Sequence, residues 1–248
     1  VEFRDVSFAY PDAEEKTLDD ISFTAEPGKT TAIIGGTGCG KSTLISLIPR
    51  FYDVTEGSIT LDGIDVRDMK QHDLRENIGY VPQKGLLFSG TIGTNLQYGR
   101  EDATLAEMTD AAETAQAMEF ISEKENGFDE EVSQGGTNVS GGQKQRLSIA
   151  RALVKKPKVY IFDDSFSALD FRTDKALREA LSEKVGDSTI IIVAQRITTI
   201  IDADQIIVLE EGCIAGRGTH EELLANCSVY KEIALSQLSE KELERGRA

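Results

Sequence analysis

Gly35-Gly36-Thr37-Gly38-Cys39-Gly40-Lys41-Ser42 stands between a short β-branched run, Thr30 to Ile34, and a stretch of helical character from Lys41 to Phe51. The spacing is G-x-x-x-x-G-K-[ST], and strand, loop, helix is the context in which that spacing has a mechanism. Glycines let backbone N–H groups curl round phosphate oxygens, and the helix that follows points its positive end at them. On this reading Lys41 reaches the β- and γ-phosphates of a nucleotide and the Ser42 hydroxyl binds Mg²⁺. The nucleotide-binding residues expected of the loop are Gly35, Gly36, Thr37, Gly38, Cys39, Gly40, Lys41, Ser42 and Thr43.

A magnesium site of this kind also needs a carboxylate at the end of a neighbouring hydrophobic strand. Val159-Tyr160-Ile161-Phe162-Asp163 supplies it, with Asp163 holding the ion through its water shell. The rest of the chain reads as an α/β protein. Val6, Phe8 and Tyr10 alternate, as do Ile21, Phe23 and Ala25, and Ser58 to Asp65 carries an Asp62-Gly63 pair suited to a tight hairpin turn. Thr104 with Glu107 forms a capping box, and Leu105, Met108, Ala112, Ala115 and Met118 recur at helical spacing, so one amphipathic helix is expected over 104–122. A second is expected from Gly141 to about Val154. Strands at Val159–Phe162 and Thr189–Val193 flank a helix with Ala176, Leu177, Ala180 and Leu181 on one face. After them come a strand at Gln205–Leu209, the Glu211-Gly212 turn and a closing helix capped by Thr219 and Glu222.

With 248 residues, 27 basic and 43 acidic, the formal charge is −16. That opposes phosphate-backbone binding, and no nucleic-acid partner is expected. Apolar residues at 40% and charged residues at 28% are ordinary globular usage. The longest uninterrupted apolar run, Ile190 to Ala194, falls far short of the ~20 residues that span a bilayer. Cys39, Cys213 and Cys227 are odd in number and lack metal-ligand spacing, which suits reduced thiols in a cytoplasmic setting. The chain opens on strand-like residues without an initiating Met and is expected to be a piece of a longer polypeptide.

Ser140-Gly141-Gly142-Gln143, followed by Lys144-Gln145-Arg146-Leu147-Ser148-Ile149-Ala150-Arg151-Ala152-Leu153, resembles the signature motif of ATP-binding cassette (ABC) proteins. The resemblance implies a P-loop NTPase core with a mixed sheet, an antiparallel β subdomain and an inserted helical subdomain. It covers nearly the whole chain as one nucleotide-binding domain, 1–248: residues 1–83 and 156–238 as the catalytic core with its β subdomain, about 84–155 as the helical subdomain, and 239–248 as a charged tail. It implies ATP and Mg²⁺ as ligands, and that Ser140, Gly141, Gly142 and Gln143 bind the γ-phosphate of a nucleotide held by a second subunit. A helix N-terminus with free N–H groups suits that role. By the same resemblance Tyr10 stacks on adenine, Gln83 in Tyr80-Val81-Pro82-Gln83 touches Mg²⁺, and Asp170 in Ser167-Ala168-Leu169-Asp170 belongs to the loop through which two such domains sense each other. Leu87-Phe88-Ser89-Gly90-Thr91-Ile92 looks like the exporter branch, whose transmembrane half precedes this domain. The implied location is the cytoplasmic face of the cell membrane, and the implied activity is ATP hydrolysis coupled to transport.

Two positions depart from the family pattern. Asp164 stands where the family has Glu as the base that polarises water, and Gln195 stands where it has a switch His. An amide donates a hydrogen bond but neither becomes cationic nor relays a proton, and His72 and His220 lie elsewhere. Lys41, Ser42, Asp163 and the signature are intact, apart from Val139 where Leu is usual; Val132-Ser133-Gln134-Gly135-Gly136 lacks the usual Glu and Arg. The combination resembles the degenerate half of a heterodimeric exporter, which binds ATP in a weak site and lends its sound signature to the partner's active one. The alternatives are a symmetric, fully active ABC ATPase subunit and a soluble non-transport ABC protein.

Overall fold

Thr31, Ala32, Ile33 and Ile34 are all buried, so the run before the glycine loop is a strand covered on both faces, as in parallel sheets. In the computed structural model, which describes residues 1–238, the chain begins β1 (Glu2–Phe8), β2 (Leu18–Thr24), β3 (Thr30–Gly35), α1 (Lys41–Ser46), β4 (Glu56–Leu61), β5 (Ile64–Asp65), α2 (Gln71–Glu76) and β6 (Ile78–Val81). It continues β7 (Gly90–Thr91), α3 (Ile92–Gln97), α4 (Leu105–Thr114), α5 (Met118–Ser122), β8 (Glu131–Val132), α6 (Gly141–Lys155), β9 (Val159–Asp163) and α7 (Phe171–Lys184). Last come β10 (Thr189–Val193), α8 (Ile197–Ile200), β11 (Gln205–Glu210), β12 (Cys213–Gly218), α9 (His220–Asn226) and α10 (Ser228–Gln237). The expected charged tail, 239–248, lies outside the described residues. No described helix is long and apolar enough to cross a membrane.

The described residues form two compact units, Val1–Ile78 with Thr189 onward, and Gly79–Ser188. In the first, β3 lies between β11 and β10 and is parallel to both, with Ile33 opposite Ile207 and Val193; β12 closes the β11 side antiparallel. A second, antiparallel sheet has the order β2-β1-β4-β5, with Phe3 stacked on Phe23 at 4.5 Å. The expected hairpin is present between β4 and β5: Asp62 and Gly63 have φ of 51° and 80°, the pair of positive values a type I′ turn requires. Alternation fails in β1, where Ser7 is buried between Val6 and Phe8. A bulge at Asp5, φ 48°, shifts the register, and the Ser7 hydroxyl is satisfied by donating to Asp19 Oδ1 at 3.0 Å.

The helix expected to run from Lys41 to Phe51 ends at Ser46. The Ser46 hydroxyl donates back to the Thr43 carbonyl at 2.6 Å, Pro49 has no N–H to donate, and Arg50 turns into the left-handed region at φ 57°. Leu47 and Ile48 stay buried in the turns that follow.

In the second unit β6 neighbours β9, and β7 pairs with β8. The Thr104–Glu107 capping box starts α4 as expected, but the single helix over 104–122 is two helices. Gln116 at φ 55° interrupts it, because Arg146 of α6 claims the Gln116 carbonyl at 2.6 Å and lies over the Phe120 ring at 4.8 Å. Leu105 faces solvent, and Met108, Ala111, Ala112 and Ala115 supply the buried stripe instead. Arg151 of α6 fixes the segment around α3, donating to Asn95 O and Asn95 Oδ1, each at 2.8 Å, and to Leu86 O at 2.9 Å.

Candidate nucleotide site

The loop between β3 and α1 uses its glycines for distinct reasons. A Cβ at Gly35 would lie 2.1 Å from the Leu209 carbonyl oxygen, so β3 approaches β11 only without a side chain there. Gly40 caps α1 at φ 99°, a conformation that costs a residue with a Cβ. At Gly36 and Gly38 a Cβ would meet nothing within 4 Å, so the loop presents bare backbone on an open side. The Lys41 ammonium curls back over the loop, donating to Gly35 O and Gly36 O at 2.7 Å each and lying 3.6 Å from the buried Cys39 sulfur. A cation held at an open stretch of bare backbone suits a phosphate chain.

Tyr10 belongs to the same unit and lies beside this loop. Its hydroxyl is 3.0 Å from Thr43 Oγ1 in α1, and its ring, 37% exposed, meets Phe8 edge to face at 4.9 Å. Gln195 follows β10, two residues after Val193 pairs with Ile33. Its carbonyl accepts from Gln237 Nε2 at 2.8 Å, while Gln237 Oε1 accepts the Ile197 N–H at 2.9 Å. The end of α10 thus fixes the backbone from Gln195 to Ile197, a role the sequence did not announce.

In the second unit Asp163 ends β9 and is buried. Tyr80 donates to its Oδ2 at 3.2 Å; burial first, then the Asp163 charge, pushes the phenol pKa well above its usual value, so it stays a donor. Asp164 has a left-handed backbone, φ 46°, which Asp enters more readily than most residues. Gln83 Nε2 donates to its Oδ2 at 3.0 Å, and Ser167 Oγ to its carbonyl at 2.8 Å. Gln83, Asp163 and Asp164 are therefore brought together.

Ser140 caps α6 in a capping box, its hydroxyl accepting the Gln143 N–H at 3.2 Å while Gln143 Oε1 accepts the Ser140 N–H at 3.0 Å. Gly141 is open, whereas a Cβ at Gly142 would stand 3.3 Å from the Ala168 carbonyl, so the signature turn lies against the segment leading to Asp170. Both Asp170 oxygens serve α7: Oδ1 accepts the Arg172 and Thr173 N–H groups, and Oδ2 the Thr173 hydroxyl at 2.7 Å. These bonds, the Thr173 hydroxyl first, hold its pKa below the usual carboxylate value. Gln145, which is 1% exposed, has a place that no sequence pattern marks. It donates to Pro82 O at 3.1 Å and accepts from Gly85 N at 2.8 Å, lashing α6 to the segment that carries Gln83. A glutamine two places after Gln143 in a helix start was the only signal.

His72 is exposed on α2, and His220 is buried at the start of α9, its Nδ1 2.7 Å from the Tyr230 hydroxyl. Among the described residues no group of three or more His, Cys, Asp and Glu side chains is arranged to hold a metal. A magnesium ion that arrives with a nucleotide needs fewer protein ligands, commonly one or two oxygens, and Ser42 and Asp163 are oxygen donors of that kind.

The sequence pattern of the ABC transporter family matches residues 18–167. An uncharacterised ABC transporter ATP-binding protein of Mycobacterium tuberculosis is 52% identical over 93% of this chain, which covers 40% of that protein. The ATP-dependent lipid A-core flippase of Haemophilus influenzae is 43% identical over 96% of this chain and 41% of its own length. The structure of a bacterial Atm1-family ABC exporter with ATP bound superposes with a TM-score of 0.92 at 41% identity, covering 96% of this chain and 42% of that one. The chain thus spans about 40% of the length of the curated relatives it matches. With the family pattern matched over more than half its residues, on the α/β fold described above, the chain belongs to the ABC transporter family.

Proposed function

We propose that the chain is the nucleotide-binding domain of an exporter-type ABC transporter, and that it binds MgATP at the loop 35–43 but hydrolyses it weakly in its own site. The observation that carries the proposal is the loop itself: bare backbone at Gly36 and Gly38, with the Lys41 ammonium above it. In this reading residues 1–83 and 156–238 form the core and about 84–155 the helical subdomain. Tyr10 lies against the base, Lys41 and the loop N–H groups take the phosphates, and Ser42, Asp163 and Gln83 hold the magnesium ion. That ion, when bound, neutralises phosphate charge. Ser140 to Gln143 and Asp170 serve a second nucleotide-binding domain.

Weak hydrolysis rests on Asp164 and Gln195. Asp is one methylene shorter than Glu, withdrawing the carboxylate by about 1.5 Å, whereas a base must lie within roughly 2.6–3.2 Å of the proton it takes. Gln83 already engages Asp164 Oδ2. A heterodimer follows, in which this chain's intact signature completes an active site on the partner. The attached transmembrane half and a position on the cytoplasmic face of the membrane belong to the same proposal, supported by the exporter and the flippase among the relatives.

The test is steady-state ATP hydrolysis by the chain at high concentration, with and without Asp164→Glu and Gln195→His. The parent should be slow and the double variant should gain more than either single one, because base and switch act on one transition state. A parent turning over at ~1–10 s⁻¹, in the ordinary enzyme range, with no gain from the double change would make the chain a symmetric, fully active subunit.

A further inference from the structure

Tyr10 leads into an exposed stretch, Pro11 to Glu15, that carries Asp12, Glu14 and Glu15, with Asp12 in the left-handed region at φ 66°. The Ala13 N–H donates to the Tyr10 carbonyl at 3.0 Å and holds the backbone turn, but the orientation of the ring must come from its neighbours. Three contacts supply it. The ring of Phe8, 3% exposed, meets it at 81°. Thr43 holds the hydroxyl at 3.0 Å. Tyr52, just beyond the turns that end α1, meets it at 5.2 Å and 85°. Tyr52 also touches Phe8, at 5.6 Å and 50°, so the three rings close a triangle. Phe8 is its buried floor, and Tyr10 and Tyr52, 37% and 43% exposed, form its open sides.

Perpendicular aromatic pairs are favoured because the positive edge of one ring meets the negative face of the other. A ring held in this way loses the freedom to swing about its χ1 and χ2 bonds, and a base that stacks on it need not arrest that motion. From this geometry we infer that Tyr52 is a positioning residue for base recognition: it fixes the plane of Tyr10 and so contributes to affinity for a base-bearing nucleoside triphosphate, and not to affinity for a bare phosphate chain. The inference rests on the reading of Tyr10 as the base platform.

The experiment is calorimetric titration of the 248-residue chain with MgATP and, separately, with magnesium tripolyphosphate, which has phosphates and no base. Tyr52→Ala should raise the Kd for ATP about two- to tenfold, the range expected for one edge-to-face pair, and leave tripolyphosphate affinity unchanged. Tyr52→Phe, which keeps the ring, should bind ATP as the parent does. Unchanged ATP affinity in Tyr52→Ala, an equal loss for both ligands, or a loss in Tyr52→Phe matching that in Tyr52→Ala would overturn the positioning role. Tyr10→Ala separates the two levels. If it weakens ATP binding while Tyr52→Ala does not, only the role of Tyr52 falls; if it leaves ATP binding unchanged, the platform reading falls as well.

Discussion

Replacing Gln145 by Leu removes both ends of the strut between α6 and the segment that carries Gln83. The Pro82 carbonyl and the Gly85 N–H lose the partners they now have at 3.1 and 2.8 Å. The segment has little room to find others, since a Cβ at Gly85 would already stand 2.8 Å from the Lys144 carbonyl. Leaving a buried polar group unpaired costs about 1–3 kcal/mol. Pro82 and Gly85 are half-buried, so water compensates part of the loss and the two together cost about 2–4 kcal/mol. For a chain of 248 residues, where each kcal/mol moves Tm by ~2–4 °C, that corresponds to a fall of roughly 5–15 °C. Thermal melting followed by circular dichroism reads it, and amide hydrogen exchange at Gln83 to Gly85 should accelerate with it. A melt within about 2 °C of the parent would refute the strut, because the lower bound of about 2 kcal/mol for the two groups already corresponds to about 4 °C.

Ser140→Ala should leave this chain's own ATP affinity unchanged while depressing hydrolysis by a reconstituted pair of domains, with about 0.5–2 kcal/mol of stability lost from the cap of α6; nucleotide titration of the chain alone, set against ATPase of the pair, checks both. His220 should make stability fall with acidification. Burial lowers its folded pKa below the unfolded value, and its Nε2 has no hydrogen-bond partner among the described residues, so the unfolded chain takes up a proton that the folded chain resists. The contribution is fully present above the ordinary value of about 6.5 and is lost as pH falls through it toward the folded pKa. Melting temperatures at several pH values between neutral and mildly acid should show a shallower slope in His220→Asn; equal slopes would remove His220 as a cause.

What was legible in the sequence is what short spacing encodes. The glycine loop with its flanking strand and helix, the Asp62-Gly63 hairpin, and the boxes at Thr104–Glu107 and Thr219–Glu222 each depend on residues within a few positions of one another. What was not legible depends on partners far along the chain. Gln116 has ordinary helix propensity, and only Arg146, thirty residues on, makes the break after α4 intelligible. The short β7–β8 pair, Gly90 opposite Val132, has no periodicity to betray it. Among the expected site residues the residue types stood out, but the groups that hold them did not: Tyr80 on Asp163, Gln237 on the Gln195 backbone, and Gln145 on Pro82 and Gly85 either side of Gln83 owe their places to how each unit folds.

If the loop 35–43 binds ATP through its backbone and Lys41, equilibrium titration of the parent and of Lys41→Ala with MgATP will separate the two chains. Saturable binding by the parent, abolished or severely weakened in Lys41→Ala with the melting curve preserved, is the predicted result. A parent that binds no MgATP, or a Lys41→Ala variant that binds it with the parent's affinity, would mean that the loop is not the nucleotide site.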